Sequence, residues 1–280
     1  MLLGSCFSLF GNSREEETIL YEKDDDTEVL GTWWWWVDPK EYDKYLDFAV
    51  NNGVNEIYFY TDKFSDADGA LIEKAGDRGI KVYFLKGGYT YIWDRPAFAK
   101  IMDDYFTFQA KMPAKRRFAG LHLDIEPQMH KDYTSKIDQF HQDYIDFVVW
   151  VNSEYREAAG TIDFDMGWWF DGYVTYNGNR VRLYQALISE IDRPFVMAYK
   201  NTADKIYDVA KDEIAFAKSI GKPIMLGVET DRLEPGSDET FYGKGLAYLY
   251  DQLEKLHKLK KSGAISQKEF DTEKKKLLGN

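Results

Sequence analysis

The chain of 280 residues contains one cysteine, Cys6, and only four histidines. A lone cysteine excludes an intramolecular disulfide and every Cys-based zinc cluster within this chain. The histidines have no ligand-like grouping, so neither a metal nor another cofactor is expected. No apolar run approaches the roughly 18 residues that a membrane span needs. Positive charge is also scarce: 36 Lys and Arg face 48 Asp and Glu, a net charge of −12. Nucleic acid is therefore not an expected partner, because phosphate binding needs clustered cations, and the one basic cluster, at the C-terminus, is interspersed with acids. An acidic surface suits a neutral or cationic substrate better.

Aromatic side chains, by contrast, are plentiful: eight Trp, twenty Tyr and eighteen Phe. Such rings fill cores and also make flat platforms for sugar faces. From Val29 the chain alternates apolar strands with amphipathic helices. Candidate strands are Leu30–Val37, Asn55–Thr61, Lys81–Lys86, Gly120–Ile125, Asp163–Trp169, Phe195–Tyr199 and Ile224–Glu229. The candidate helices between them are Pro39–Asn51, Ala67–Asp77, Arg95–Gln109, Ser135–Ala158, Val181–Glu190 and Thr202–Ser219. Strands separated by helix-length segments indicate βαβ units and a parallel sheet. Gly53, Gly79 and Gly221 stand where helices stop. The expected fold is an α/β (β/α)8-type TIM barrel with seven clear strands. The eighth is either Thr18–Glu22 or missing from a distorted barrel. An open doubly wound sheet is the alternative, weakened because no Gly-rich phosphate loop follows the first strand.

The two ends differ from this middle, so residues 1–28 are expected as a tether, 29–252 as the barrel and 253–280 as an appendage. Leu3-Gly4-Ser5-Cys6 resembles the lipobox of bacterial lipoproteins, and the segment Asn12 to Thr27 is polar, as a surface tether would be; the charged start and most of the apolar h-region are missing. The resemblance implies an extracytoplasmic, lipid-anchored protein; without it the chain is cytoplasmic. At the other end, Leu256-x-x-Leu259, Ser262-Gly263-Ala264-Ile265-Ser266 and Glu269-Phe270 through Leu277-Leu278 resemble the short C-terminal domain called SHOCT. Ser266 with Glu269 forms a capping box before a helix Gln267–Leu278. Ile265, Phe270 and Leu277 would make its small apolar face. The resemblance implies a helical hairpin for oligomerisation or partner contact, with no chemistry of its own.

The chemistry concentrates in the fourth strand, Leu121-His122-Leu123-Asp124-Ile125-Glu126-Pro127. Side chains alternate along a strand, so His122, Asp124 and Glu126 share one face and the leucines the other. The apolar face meets the helices, which turns two carboxylates into the barrel, a costly position without partners or a task. Glu126 comes last, at the C-terminal rim where barrel enzymes keep their sites. His122 reads as a hydrogen-bonded core histidine, and Asp163 and Asp165 as residues low in the barrel, outside the site.

Ala119 to Glu126 resembles the strand-four motif of chitinase-like glycoside hydrolases, Asp-x-x-Asp-x-Asp-x-Glu, with Asp124 and Glu126 matching and Ala119 and His122 departing. Met197-Ala198-Tyr199 is similar to that family's Met-x-Tyr strand, with Lys200 where an Asp would follow. The resemblance implies Glu126 as proton donor, Asp124 as its tuner and Tyr199 as a ligand for the substrate's acetamido group. The departures put N-acetylated substrates in doubt. A second resemblance, to the barrel clan with two catalytic glutamates, pairs Glu126-Pro127 with Glu229 at the seventh strand as nucleophile. Carboxyls about 5–5.5 Å apart would mean retention and about 6.5–9.5 Å inversion. The remaining candidates for binding a sugar are Asp62, Tyr60, Trp35, Trp168 and Trp169. The leading function is thus a glycoside hydrolase acting on an oligo- or polysaccharide. A glycan-binding barrel without catalysis is the alternative, and a metal-dependent amidase or phosphodiesterase the third, unattractive with so few histidines.

Overall fold

The structure, a computed structural model, describes residues Leu2–Leu3 and 29–262. Each of the seven strands expected from the sequence is present, all parallel and neighbours in barrel order. In chain order the strands are β1 (Leu2–Leu3), β2 (Gly31–Trp34), β3 (Glu56–Tyr60), β4 (Lys81–Gly87), β5 (Leu121–Asp124), β6 (Ile162–Gly167), β7 (Tyr173–Tyr176), β8 (Asn179–Arg182), β9 (Arg193–Met197) and β10 (Met225–Val228). Eight of them close a barrel; β7 and β8 stand apart as an antiparallel hairpin. The eighth barrel position belongs to β1, which pairs parallel with both β10 and β2 (Leu2 with Gly227 and Gly31). The strand expected at Thr18–Glu22 lies outside the described residues, as do Cys6 and the SHOCT-like turn and helix from Gly263 onward. The doubly wound sheet is excluded by closure.

Helices α1 (Tyr42–Asn51), α2 (Asp66–Gly76), α3 (Arg95–Lys111), α4 (Ile137–Ala159), α5 (Leu183–Glu190), α6 (Ala203–Ser219) and α7 (Leu246–Ser262) follow the barrel strands. Their starts are set locally. Ser65 and Asp68 form a capping box at α2, and Asp94 accepts from the Ala97 amide at α3. None of the described helices is long and apolar enough to cross a membrane.

Helix α5 begins later than expected. Val181 and Arg182 belong to β8, so α5 starts at Leu183. Asn177-Gly178 supplies two residues with positive φ, 50° and 76°, which a two-residue hairpin turn requires, and Val181 pairs with Val174. The hairpin is held on α4 by Gln142, whose side chain accepts from the Thr175 amide and donates to its carbonyl.

Two apolar clusters sit either side of the barrel wall. The outer one joins strand residues such as Ile57, Phe84, Leu121, Leu123 and Phe164 to the helices. It also contains Leu249, Leu253 and Leu256 of α7. The inner one holds Trp33, Tyr58, Tyr83, Leu85, Phe195 and Met225. Alternation thus works as expected for the four tryptophans. Trp33 and Trp35 turn inward, Trp34 packs on Tyr45 of α1, and Trp36 is 74% exposed at the rim.

Candidate active site

At the N-terminal end of the lumen lies an ionic group. Arg193 donates to Glu56 at 2.9 and 3.0 Å and to Asp163 at 3.0 and 2.5 Å. Tyr58 adds a hydrogen bond to Glu56 at 2.8 Å. Register explains the meeting, since Asp163 on β6 lies beside Arg193 on β9 and His122 on β5. Buried charges of this kind are tolerated only when fully partnered.

One pleat higher, His122 is completely buried, stacked on Tyr58 with ring centroids 4.0 Å apart and flanked edge-on by Phe195. Its Nε2 lies 2.9 Å from Asp165 Oδ2, and Trp33 Nε1 lies 3.1 Å from the same oxygen. Trp33 Nε1 is also 3.0 Å from His122 Nε2. An indole N–H and a ring N–H can both donate to one carboxylate oxygen, so the consistent assignment places a proton on His122 Nε2. Burial opposes that charge, but Asp165 and Asp163 outweigh it and lift the imidazole to about 9. His122 is therefore a core histidine, as expected, held as a cation. Asp165 is the residue that sequence reasoning placed too low. It lies one pleat above Asp163, facing the site.

The C-terminal layer contains the expected acids. Asp124 is pushed well above the usual carboxylate range by burial, then by the charges of Asp165 and Glu126. Glu126 is only partly buried, yet desolvation and Asp165 raise it to about 7, against a hydrogen bond from Gln128 Nε2 at 2.5 Å. No cation pairs with either among the described residues. Tyr199 sits among them: burial raises its hydroxyl, followed by Asp124, Asp165, Glu229 and Glu126. Glu229 is raised by burial while its Oε1 accepts from the Thr230 and Asp231 amides, each at 2.7 Å. After burial, Asp165 on β6 raises Glu126, and Glu126 in turn raises Asp124.

Tryptophans floor the mouth where inward-facing glycines make room. A Cβ on Gly87 would come within 2.8 Å of the Trp35 ring, and one on Gly167 within 2.6 Å of the Trp169 ring. Trp35 also packs beside Tyr60 at 5.4 Å between centroids. Trp169 hydrogen-bonds Tyr133, whose hydroxyl is 2.7 Å from His141 Nε2. Trp168 meets Trp169 edge to face, and both rings also pack on the outer cluster. Asp62 is not brought to the carboxyls. It is exposed, takes the Tyr60 hydroxyl and lies 4.0 Å from Lys86. Lys200, where the motif would have Asp, reaches Asp238 and Glu239 of the loop before α7. Gln128 was not anticipated either; its only sequence signal is its place two residues after Glu126. Among the described residues no three His, Cys, Asp or Glu side chains group as a metal would need.

Residues 251–278 match the SHOCT family, a short C-terminal domain. No curated protein matches the chain. Among solved structures, the C-terminal domain of a protein assigned as a chitinase from Desulfitobacterium hafniense DCB-2 superposes with a TM-score of 0.50 at 16% identity, over 71% of this chain and 66% of that one. A GH18 chitinase from Cycas revoluta, solved with (GlcNAc)3, gives 0.44 at 13% identity over 72% and 68%. A chitinase from Chromobacterium violaceum ATCC 12472 gives 0.44 at 11% over 71% and 68%. The chain thus spans about two thirds of the length of these chains. What the likeness shows is a fold: a chitinase-like (β/α)8 barrel whose last helix runs into a SHOCT segment.

Proposed function

We propose that the chain is a glycoside hydrolase that cleaves an oligo- or polysaccharide by general acid/base catalysis, with Glu126 as proton donor. One observation carries this reading. At the C-terminal rim of β5 a partly buried glutamic acid, crowded by Asp165 and lacking a cationic partner among the described residues, is raised to about 7. A general acid needs to be protonated at working pH yet able to let the proton go, and that range meets both needs. Asp124, pushed well above the usual carboxylate range beside it, tunes the acid. Tyr199 orders the reacting sugar, and Glu229 offers a second carboxyl on the far strand. Trp35, Tyr60 and Trp169 give flat faces on which sugar rings stack. The chitinase-like fold supports the reading without fixing it, since folds host many functions.

The test is turnover of a panel of chromogenic β- and α-glycosides and unlabelled polysaccharides by the full chain and by Glu126→Gln. Turnover abolished in the variant, with the melting temperature kept, is the expected result; equal turnover removes Glu126 from the mechanism. A second reading is a glycan-binding barrel without catalysis. It is favoured by His122, which occupies the place of a motif aspartate and is committed to Asp165 at 2.9 Å. Glycan binding that survives Glu126→Gln, with no cleavage by the parent, would select it. A lipid anchor on Cys6 is a separate proposal, read by whether Cys6→Ser releases the protein from the membrane fraction.

A further inference from the structure

Charges alternate up the barrel axis. Glu56 meets Arg193 at 2.9 Å, Arg193 meets Asp163 at 2.5 Å, Asp163 lies 3.8 Å from His122, and His122 lies 2.9 Å from Asp165. The signs run minus, plus, minus, plus, minus, and end on Asp165, 3% exposed, just beneath the mouth. Beyond it no described cation continues the series; only Asp124 and Glu126 follow.

The same place has acceptors without donors. Asp165 Oδ1, Asp124 Oδ1 and Gln128 Oε1 are buried and have no hydrogen-bond partner. Buried acceptors left unpaired are costly, so the neighbouring oxygens of Asp165 and Asp124, with Gln128 beside Glu126, suit a ligand that brings donors. A proton resting on Asp124 supplies one at most.

We propose that the mouth binds a sugar bearing a free primary ammonium, a 2-amino-2-deoxy glycan, with the ammonium seated against Asp124 and Asp165. The inference rests on the glycoside-hydrolase reading and names its substrate class. An ammonium has three donors and no acceptor, which suits this group of orphaned oxygens. It also continues the alternation where the protein's own cations stop. An N-acetyl group would bring a single N–H and no charge. The titratable groups facing the position are Asp124 and Glu126 of the β5 end, His122 of β5, Asp165 of β6, Tyr144 of α4, Tyr199 after β9 and Glu229 after β10. Of these, Asp124 is pushed well above the usual carboxylate range and has an unpartnered oxygen, so an ammonium seated there would take over the role of its proton.

Titration calorimetry on the full chain tests this with β-1,4 tetramers of glucosamine, N-acetylglucosamine and glucose, in two buffers of different ionisation heat. The amine should bind at least about tenfold tighter than either neutral tetramer. While the amine is charged, its binding should release up to one proton and should strengthen as pH rises through the mildly acidic range, because displacing a proton is easier where protons are scarcer. Asp124→Asn should lose both the preference and the proton release. Should that variant not fold, the proton count on the parent decides. A neutral tetramer that binds as tightly, or amine binding without proton release, overturns the inference. If such neutral glycans are cleaved, the hydrolase reading stands without it; if none of the three is bound, the inference falls, and the hydrolase reading is decided by the glycoside panel and Glu126→Gln.

Discussion

His122 Nε2 and Asp165 Oδ2 lie 2.9 Å apart at the centre of the barrel, joining β5 to β6 immediately below the acids of the mouth. The pair links the ionic base of the lumen to the titrating layer above it. His122 balances Asp165, and the charge left on Asp165 raises both Asp124 and Glu126.

Breaking that pair from one side should be expensive. His122→Leu leaves Asp165 buried without its cation, which typically costs about 3–5 kcal/mol. Chemical denaturation would read the loss, and the double variant His122→Leu with Asp165→Asn should recover part of it. A single variant as stable as the parent would mean that the imidazole is neutral.

Stability should also depend on pH through His122. Its folded value of about 9 lies above the ordinary 6.5, so its contribution is complete below about 6.5 and lost as pH rises through about 9. The shift corresponds to roughly 3 kcal/mol for a fully buried group. Melting temperatures taken across that window should fall in the parent and stay flatter in the double variant.

Activity should have a basic limb near pH 7, where Glu126 gives up its proton. Asp165→Asn removes the negative charge that raises this acid, so the limb should move to lower pH. A limb unmoved in that variant would detach Asp165 from the acid. The Glu126→Gln loss of kcat should be about 10²- to 10⁴-fold, the usual range for a general acid.

Gly167→Ala tests the floor of the mouth. Its methyl would meet the Trp169 ring at 2.6 Å, and the indole must shift. The expected stability cost is about 1–3 kcal/mol, with weakened glycan binding and altered tryptophan fluorescence. Binding as tight as in the parent would take Trp169 out of the site.

Much of this was legible in the sequence because period-two alternation decides which side chains enter a barrel. Leu121, Leu123 and Ile125 face the helices, which sends His122, Asp124 and Glu126 inward. Trp33 and Trp35 follow the same rule. What alternation does not give is height. Asp163 and Asp165 share a face, and only the register of β6 against β5 and β9 separates a structural aspartate from one that shapes the acid. The hairpin after β6 is announced by Asn177-Gly178, but the helical spacing of the residues after it also takes in Val181 and so hides its second strand. Asp62 and Lys200 show the other limit: rim side chains have long reach, and Tyr60, Asp238 and Glu239 decide where they go.

Helix α7 runs without a break from barrel wall into the residues that match SHOCT, and Leu253 and Leu256, inside that match, are 2% and 1% exposed in the barrel's outer core. Leu256→Ala should therefore lower barrel stability by about 2–5 kcal/mol, as read by thermal unfolding. The start of the SHOCT match at residue 251 is thus no seam in the structure: cutting the chain there would take two leucines out of the barrel's own packing.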